Sequence, residues 1–231
     1  VFPIRDDNPT RRTSFVTIGL LIANVLVFLY QVSLEAGGAP GGRAGQAFIE
    51  EFGLVPCRLT GACRSGADLP SPILTIFTSM FMHGGLFHVG GNMLYLWIFG
   101  NNVEDTLGHG RYLVFYLACG AVAALAQTAI GPSSPVPMVG ASGAVSGVLG
   151  AYLLLFPHAY VTTVLILGFY FRLVQIPAVV VLGFWIVVQV LNGLGSFGAS
   201  GGVAFFAHIG GFLAGMGLLF VLRPRAGVRH G

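Results

Sequence analysis

Four stretches of this chain carry no Asp, Glu, Lys or Arg: residues 13–34, 69–103, 112–171 and 173–222. An ionised group at the centre of a bilayer costs several kcal/mol, and a spanning helix needs about 20 residues. The four windows are therefore where the chain can cross a membrane, and they leave little sequence for anything else. Charged residues make up 8% of the chain and hydrophobic residues 55%, with a mean hydropathy of +0.84. A soluble domain carries about 25% charged residues, and disorder requires low hydrophobicity with high charge, so neither class fits. The 35 glycines follow no three-residue period, which excludes a collagen-like repeat.

The windows divide into six spans. The first holds one, at 16–34. The second opens with Pro70 and Pro72, leaving 86–103 as its helix. The third is broken at Gly131-Pro132-Ser133-Ser134-Pro135-Val136-Pro137 and gives 112–130 and 142–156. The fourth is broken by the Gly- and Ser-rich segment 193–202 and gives 174–192 and 204–222. The long loop 35–85 between the first two spans contains an apolar stretch, 73–81, that cannot all face water. It is expected to be partly embedded at the membrane interface.

Arginine placement orients the bundle. With six spans both ends lie on one side, and they carry Arg5, Arg11, Arg12, Arg223, Arg225 and Arg229, joined there by Arg111 and Arg172 in loops. The other side has Arg43, Arg58 and Arg64, all in the long loop. Both termini are expected to be cytoplasmic, in an integral protein of a bacterial cell membrane with no cleavable signal peptide. The net charge of +3 comes from eleven arginines scattered along the chain, too few and too dispersed for nucleic-acid binding. Three cysteines cannot build a disulfide framework. Cys119 reads as a small core residue, while Cys57 and Cys63 lie close enough to bridge. No zinc site is expected there, because suitably spaced Cys or His residues do not accompany them.

Ionisable residues inside spans are the default candidates for chemistry. Here they are His88 near the outer start of the second span and His208 in the sixth, with His83 just before the second. No acidic residue follows Asp105, and no H-E-x-x-H pattern occurs. Aspartyl chemistry, zincin-type metalloproteolysis and a carboxylate proton relay therefore lack their residues. The order Ser…Asp…His of a soluble hydrolase is also missing.

Serine and histidine remain. Ser142 stands between Gly140 and Gly143, where a broken segment turns into the fourth span. Pro157 stops that span after about 15 residues, or roughly 22 Å, against about 30 Å of hydrocarbon. A helix this short leaves its N-terminus below the outer surface, where irregular backbone is tolerated beside protein or a water-filled cavity. His88, Asn92 one turn deeper, and His208 reach a similar depth because the second, fourth and sixth spans run in the same direction. Small residues at spacing four, Gly143, Gly147 and Ala151 against Ala207, Gly211 and Gly215, allow the fourth and sixth spans to approach closely.

At these residues the sequence resembles the rhomboid family of intramembrane serine proteases. The resemblance rests on Gly140-Ala141-Ser142-Gly143, on the run Ala207-His208-Ile209-Gly210-Gly211-Phe212-Leu213-Ala214-Gly215, on His83…His88-Val89-Gly90-Gly91-Asn92, and on Gly100…Glu104…Gly108. It covers about 150 residues from Thr78 onward. It implies an all-α polytopic membrane protein, a six-transmembrane-helix rhomboid-like bundle with a short central fourth helix, forming one domain over 1–231. It also implies that Ser142 is the nucleophile, that His208 is its general base, and that His88 and Asn92 hold the oxyanion. The enzyme would be an intramembrane serine endopeptidase using a Ser-His dyad without cofactor or metal. Its partners would be the lipid bilayer and single-span membrane substrates with small residues at the cleaved bond. Movement of the fifth span or of loop 193–202 would admit them. Without a carboxylate behind His208, turnover should be slow beside triad enzymes.

One position departs from the family pattern. Some members carry an aromatic residue four positions after the nucleophile, packed on the catalytic imidazole, and here that position is Ser146. The alternative reading is a non-catalytic rhomboid-like protein that binds membrane helices; such proteins typically lack the Ser or the His, and both are present here. Glu104 is expected to tie the inner end of the second span to neighbouring donors. His83 is expected to pack within its loop, and Trp185 to face lipid or core. His109, His158 and His230 are expected to be solvated.

Overall fold

The computed structural model describes residues 2–37, 43–64, 66, 69–167, 170–196 and 203–224. Arg225, Arg229, His230 and residues 197–202 of the expected gating loop lie outside them. The chain runs β1 (Phe2–Asp6), α1 (Phe15–Gly37), α2 (Arg43–Phe52), α3 (Pro56–Thr60), α4 (Pro72–Thr78) and a 3-10 turn at Ser79–Phe81. It continues through α5 (Leu86–Leu107), α6 (His109–Ile130), α7 (Ser142–Leu155), β2 (Tyr160–Leu167), β3 (Tyr170–Pro177), α8 (Ala178–Gly195) and α9 (Phe205–Leu222).

Among the described residues, α1, α6, α8 and α9 are each long and apolar enough to cross a membrane. A fifth crossing is available if Pro72–Phe81 and α5, bent by 83° at their junction, act as one. The helix α7 is 14 residues long and buried continuously from Gly143 to Tyr152. It is packed by α5, α6, α8 and α9. Glycines make that enclosure possible: a Cβ on Gly211 would fall on the Gly143 carbonyl, one on Gly215 on the Gly147 carbonyl, and one on Gly150 on the Phe212 carbonyl. The two backbones touch along this seam.

The expectation of an all-α chain is corrected by a three-stranded antiparallel sheet in the order β1-β2-β3. Phe2 pairs with Val164, and Val164 with Leu173. The expected fifth span began at 174, but residues up to Pro177 belong to β3 and the helix starts at Ala178. Absence of charge measures hydrophobicity and not period. Tyr160–Leu167 and Tyr170–Pro177 are rich in β-branched and aromatic residues, which favour strand over helix. One sheet face is sealed on the bundle: Val161 and Thr163 are fully buried, and Tyr152 donates a hydrogen bond to Asp6 at 2.7 Å.

The described residues between α1 and α5 are structured. Ile76 and Met80 pack with Leu54 and Ala124, while Ile73 and Leu74 remain exposed. Cys57 and Cys63 form a disulfide. That turn is stitched to the segment before α7, because Cys57 N–H donates to the Ser134 carbonyl at 3.0 Å and the Thr60 hydroxyl to the Pro132 carbonyl at 2.7 Å.

Glu104, 1% exposed, joins α5 to the start of α1. Its carboxylate accepts from the Val16 and Thr17 N–H groups at 2.9 and 2.7 Å and from the Thr17 hydroxyl at 2.7 Å. The first turn of a helix leaves N–H groups unpaired and carries a partial positive charge, so a carboxylate there satisfies both. His109, expected to be solvated, is 43% exposed at its side chain and also places Nδ1 2.6 Å from the same carboxylate.

Candidate active site

The polypeptide enters α7 through Gly140, whose φ of 132° lies in the region that disfavours L side chains. Space excludes a side chain there as well, since a Cβ would lie 2.8 Å from the His88 ring and 3.6 Å from Ser142 Oγ. Gly140 N–H donates to the Ser79 carbonyl at 2.9 Å. The turn therefore places Ser142 as the first residue of α7 beside the ring of His88.

Ser142 Oγ lies 2.9 Å from His208 Nε2. The height of His208 is set from α6, where Gln127 Oε1 accepts from the N–H groups of Phe206 and Ala207 at 3.1 and 3.2 Å and caps the start of α9. On its far side, His208 Nδ1 lies 2.8 Å from Gln189 Oε1. Ser146 turns its hydroxyl back onto the Ser142 carbonyl at 2.6 Å, so it does not reach the imidazole. Trp185, expected against lipid or core, places its ring centroid 5.9 Å from that of His208.

His88 accepts the Gly84 N–H on Nδ1 at 3.3 Å. A neutral imidazole that accepts on one nitrogen carries its proton on the other. Nε2, on the edge of the ring beside Gly140, is thus a donor. Asn92 is 8% exposed, and its amide nitrogen has no hydrogen-bond partner. His83 packs edge-on behind His88 with centroids 5.0 Å apart, as a loop-packing residue should. Gln31 fixes its backbone from both sides, accepting from its N–H at 3.0 Å and donating to its carbonyl at 3.2 Å.

These groups open into a cavity of about 1120 Å³, lined by His88, Asn92, Gln127, Ser142, Trp185 and His208, with residues 133–139 forming one wall. All four residues singled out from the sequence, Ser142, His208, His88 and Asn92, face it. Two contributors were missed, Gln127 and Gln189. Each is an amide within a largely apolar helix, a weak signal that Asn192 of α8 shares.

The family profile of the Rhomboid domain matches residues 70–225. This chain belongs to the rhomboid family. Within the rhomboids it is 33% identical to Rhomboid protein 1, mitochondrial, of Saccharomyces cerevisiae over 156 residues, covering 64% of this chain and 42% of that protein. It is 42% identical to Rhomboid protease GluP of Bacillus subtilis over 78 residues, 34% of this chain and 15% of GluP. Human Presenilin-associated rhomboid-like protein, mitochondrial, is 33% identical over 139 residues, covering 58% of this chain and 31% of its own length. The chain thus spans less than half the length of these relatives. Rhomboid membership and the apolar helices together make it an integral membrane protein.

Proposed function

We propose that this rhomboid is a serine endopeptidase that cleaves transmembrane segments of membrane proteins, with Ser142 as nucleophile and His208 as general base. The observation that carries the reading is the 2.9 Å contact between Ser142 Oγ and His208 Nε2. A nucleophile and base within hydrogen-bond reach are the requirement for acyl transfer. In the first step Ser142 Oγ bonds to the scissile carbonyl carbon while its proton passes to His208 Nε2. The carbonyl oxygen takes the negative charge. Collapse breaks the C–N bond, and His208 returns the proton to the leaving amine. Water then attacks the acyl carbon and gives its proton to His208; the Oγ–C bond breaks and His208 passes that proton to Ser142 Oγ, restoring both groups.

The oxyanion is held by Asn92 Nδ2, His88 Nε2–H and the first N–H groups of α7. An unpaired buried amide costs about 1–3 kcal/mol, and a developing oxyanion is an acceptor that recovers it. All six expected segments act as spans in this reading, α7 included, with both termini cytoplasmic, and the cavity opens to the opposite side. Substrates are single-span helices. They unwind to present one strained, small-residue segment, because a regular helix hides its carbonyls in its own hydrogen bonds.

The test is reconstitution in vesicles with a single-span substrate and mass spectrometry of the products. Wild type yields one pair of fragments cut within or beside the span, and Ser142→Ala yields none. Equal cleavage by Ser142→Ala contradicts the assignment.

A further inference from the structure

We propose that Gln189 of α8 is the positioning residue for His208, taking the place that a carboxylate holds in a Ser-His-Asp triad. The proposal rests on the reading of Ser142 and His208 as a dyad. Its basis is the 2.8 Å contact between Gln189 Oε1 and His208 Nδ1, on the ring nitrogen opposite the one facing Ser142.

The direction of that bond decides what His208 can do. If Nδ1 donates to Gln189 Oε1, Nε2 is left as an acceptor and can take the Ser142 proton. A flipped amide would force Nδ1 to accept, move the proton to Nε2, and disable the base. The orientation of the amide is held from one turn earlier on the same helix, because Gln189 Nε2 donates to the Trp185 carbonyl at 3.5 Å. Trp185 also lays its ring over the imidazole at a tilt of 38°, and Phe205 meets it edge-on at 6.5 Å. Together they supply the ring packing that Ser146, with its hydroxyl committed to the Ser142 carbonyl, does not.

An amide suits this site better than a carboxylate. A buried charge in an apolar helix needs a permanent counter-charge, and the described residues lining the cavity include no carboxylate and no guanidinium. Besides His208, the titratable side chains among them are His88 and Tyr95. The amide carbonyl keeps its bond to Nδ1–H when the imidazolium forms, so ring geometry holds through proton transfer without a resident charge.

The experiment measures the rate of covalent labelling by a fluorophosphonate probe against pH for wild type, Gln189→Ala, Gln189→Glu and the exposed helix control Asn192→Ala. Gln189→Ala is expected to lose roughly 10–100-fold in maximal labelling rate with little change in the probe concentration at half-maximum, the scale on which imidazole-orienting partners act. Gln189→Glu keeps the acceptor and adds a negative charge beside the ring. It is expected to retain labelling while its acid limb moves to higher pH by about one unit or more. Asn192→Ala follows wild type. A Gln189→Ala protein that labels at the wild-type rate, or a Gln189→Glu profile that superimposes on wild type, overturns the proposal while leaving the dyad intact. Failure of wild type to label at all overturns the dyad and the proposal with it.

Discussion

Gly215 of α9 packs so closely on Gly147 of α7 that a Cβ on Gly215 would fall on the Gly147 carbonyl oxygen, leaving no room for a side chain between the helices. This contact lies two turns below the pairing of His208 with Ser142 and sets the separation of the helices that carry them. Gly215→Val is therefore expected to force the helices apart, lower the thermal midpoint and abolish Ser142 labelling. Overpacking of this kind costs about 1–3 kcal/mol, and more where backbone must yield. At Gly217, two residues on, an added methyl group would meet nothing within 4 Å, so Gly217→Ala should keep full labelling. Differential scanning fluorimetry with probe labelling checks both.

Asn92 lines the cavity, and its buried amide nitrogen has no hydrogen-bond partner. Asn92→Ala should lower the cleavage rate about 10²–10³-fold, the scale for loss of one oxyanion donor, with KM nearly unchanged. Because nothing in the resting protein bonds that nitrogen, the thermal midpoint should hold. A fall in stability matching the fall in rate would make Asn92 a structural residue instead.

The sheet is pinned to the bundle by Tyr152 and Asp6. Burial pushes the Asp6 carboxyl above its ordinary value, and the hydrogen bond from Tyr152 only partly offsets this. A carboxyl whose value is higher folded than unfolded contributes most below its unfolded value, about 3.9, and loses that contribution as pH rises through the folded one. Asp6→Asn stays neutral and still accepts from Tyr152. Its thermal midpoint should rise relative to wild type as pH is raised from about 4 to 7, and parallel curves would remove Asp6 from the account.

The Cys57–Cys63 bridge closes a loop spanning six positions, worth about 2 kcal/mol by loop-closure entropy. Since this turn is bonded to Ser134 and Pro132 beside the cavity, Cys57→Ser with Cys63→Ser should loosen that wall and lower the thermal midpoint. Thiol titration of denatured protein should count one free thiol before reduction and three after, the one being Cys119.

Charge-free windows located the helices because burying an ion in lipid costs more than any local preference can return. The same argument was blind to strand structure, because β2 lies inside a charge-free window and β3 is interrupted only by Arg172 and Gln175. Only the run of β-branched residues around Val161-Thr162-Thr163-Val164 distinguishes them. Ser142, His208, His88 and Asn92 were legible because each is a polar group at matching depth on helices that small residues bring together. Gln189 was not, because its role depends on the rotation of α8 about its axis, and Gln189 and Asn192, three residues apart in an apolar helix, do not say which face meets α9. Ser146 signalled that some other group must hold His208 without saying which.

The most direct test of the dyad is to treat purified protein with a fluorophosphonate and map the modified residue by peptide mass spectrometry. The account predicts a single adduct on Ser142, absent from Ser142→Ala and formed far more slowly in His208→Ala. A wild-type protein that never labels, or an adduct that forms on Ser142 at the same rate without His208, would contradict it.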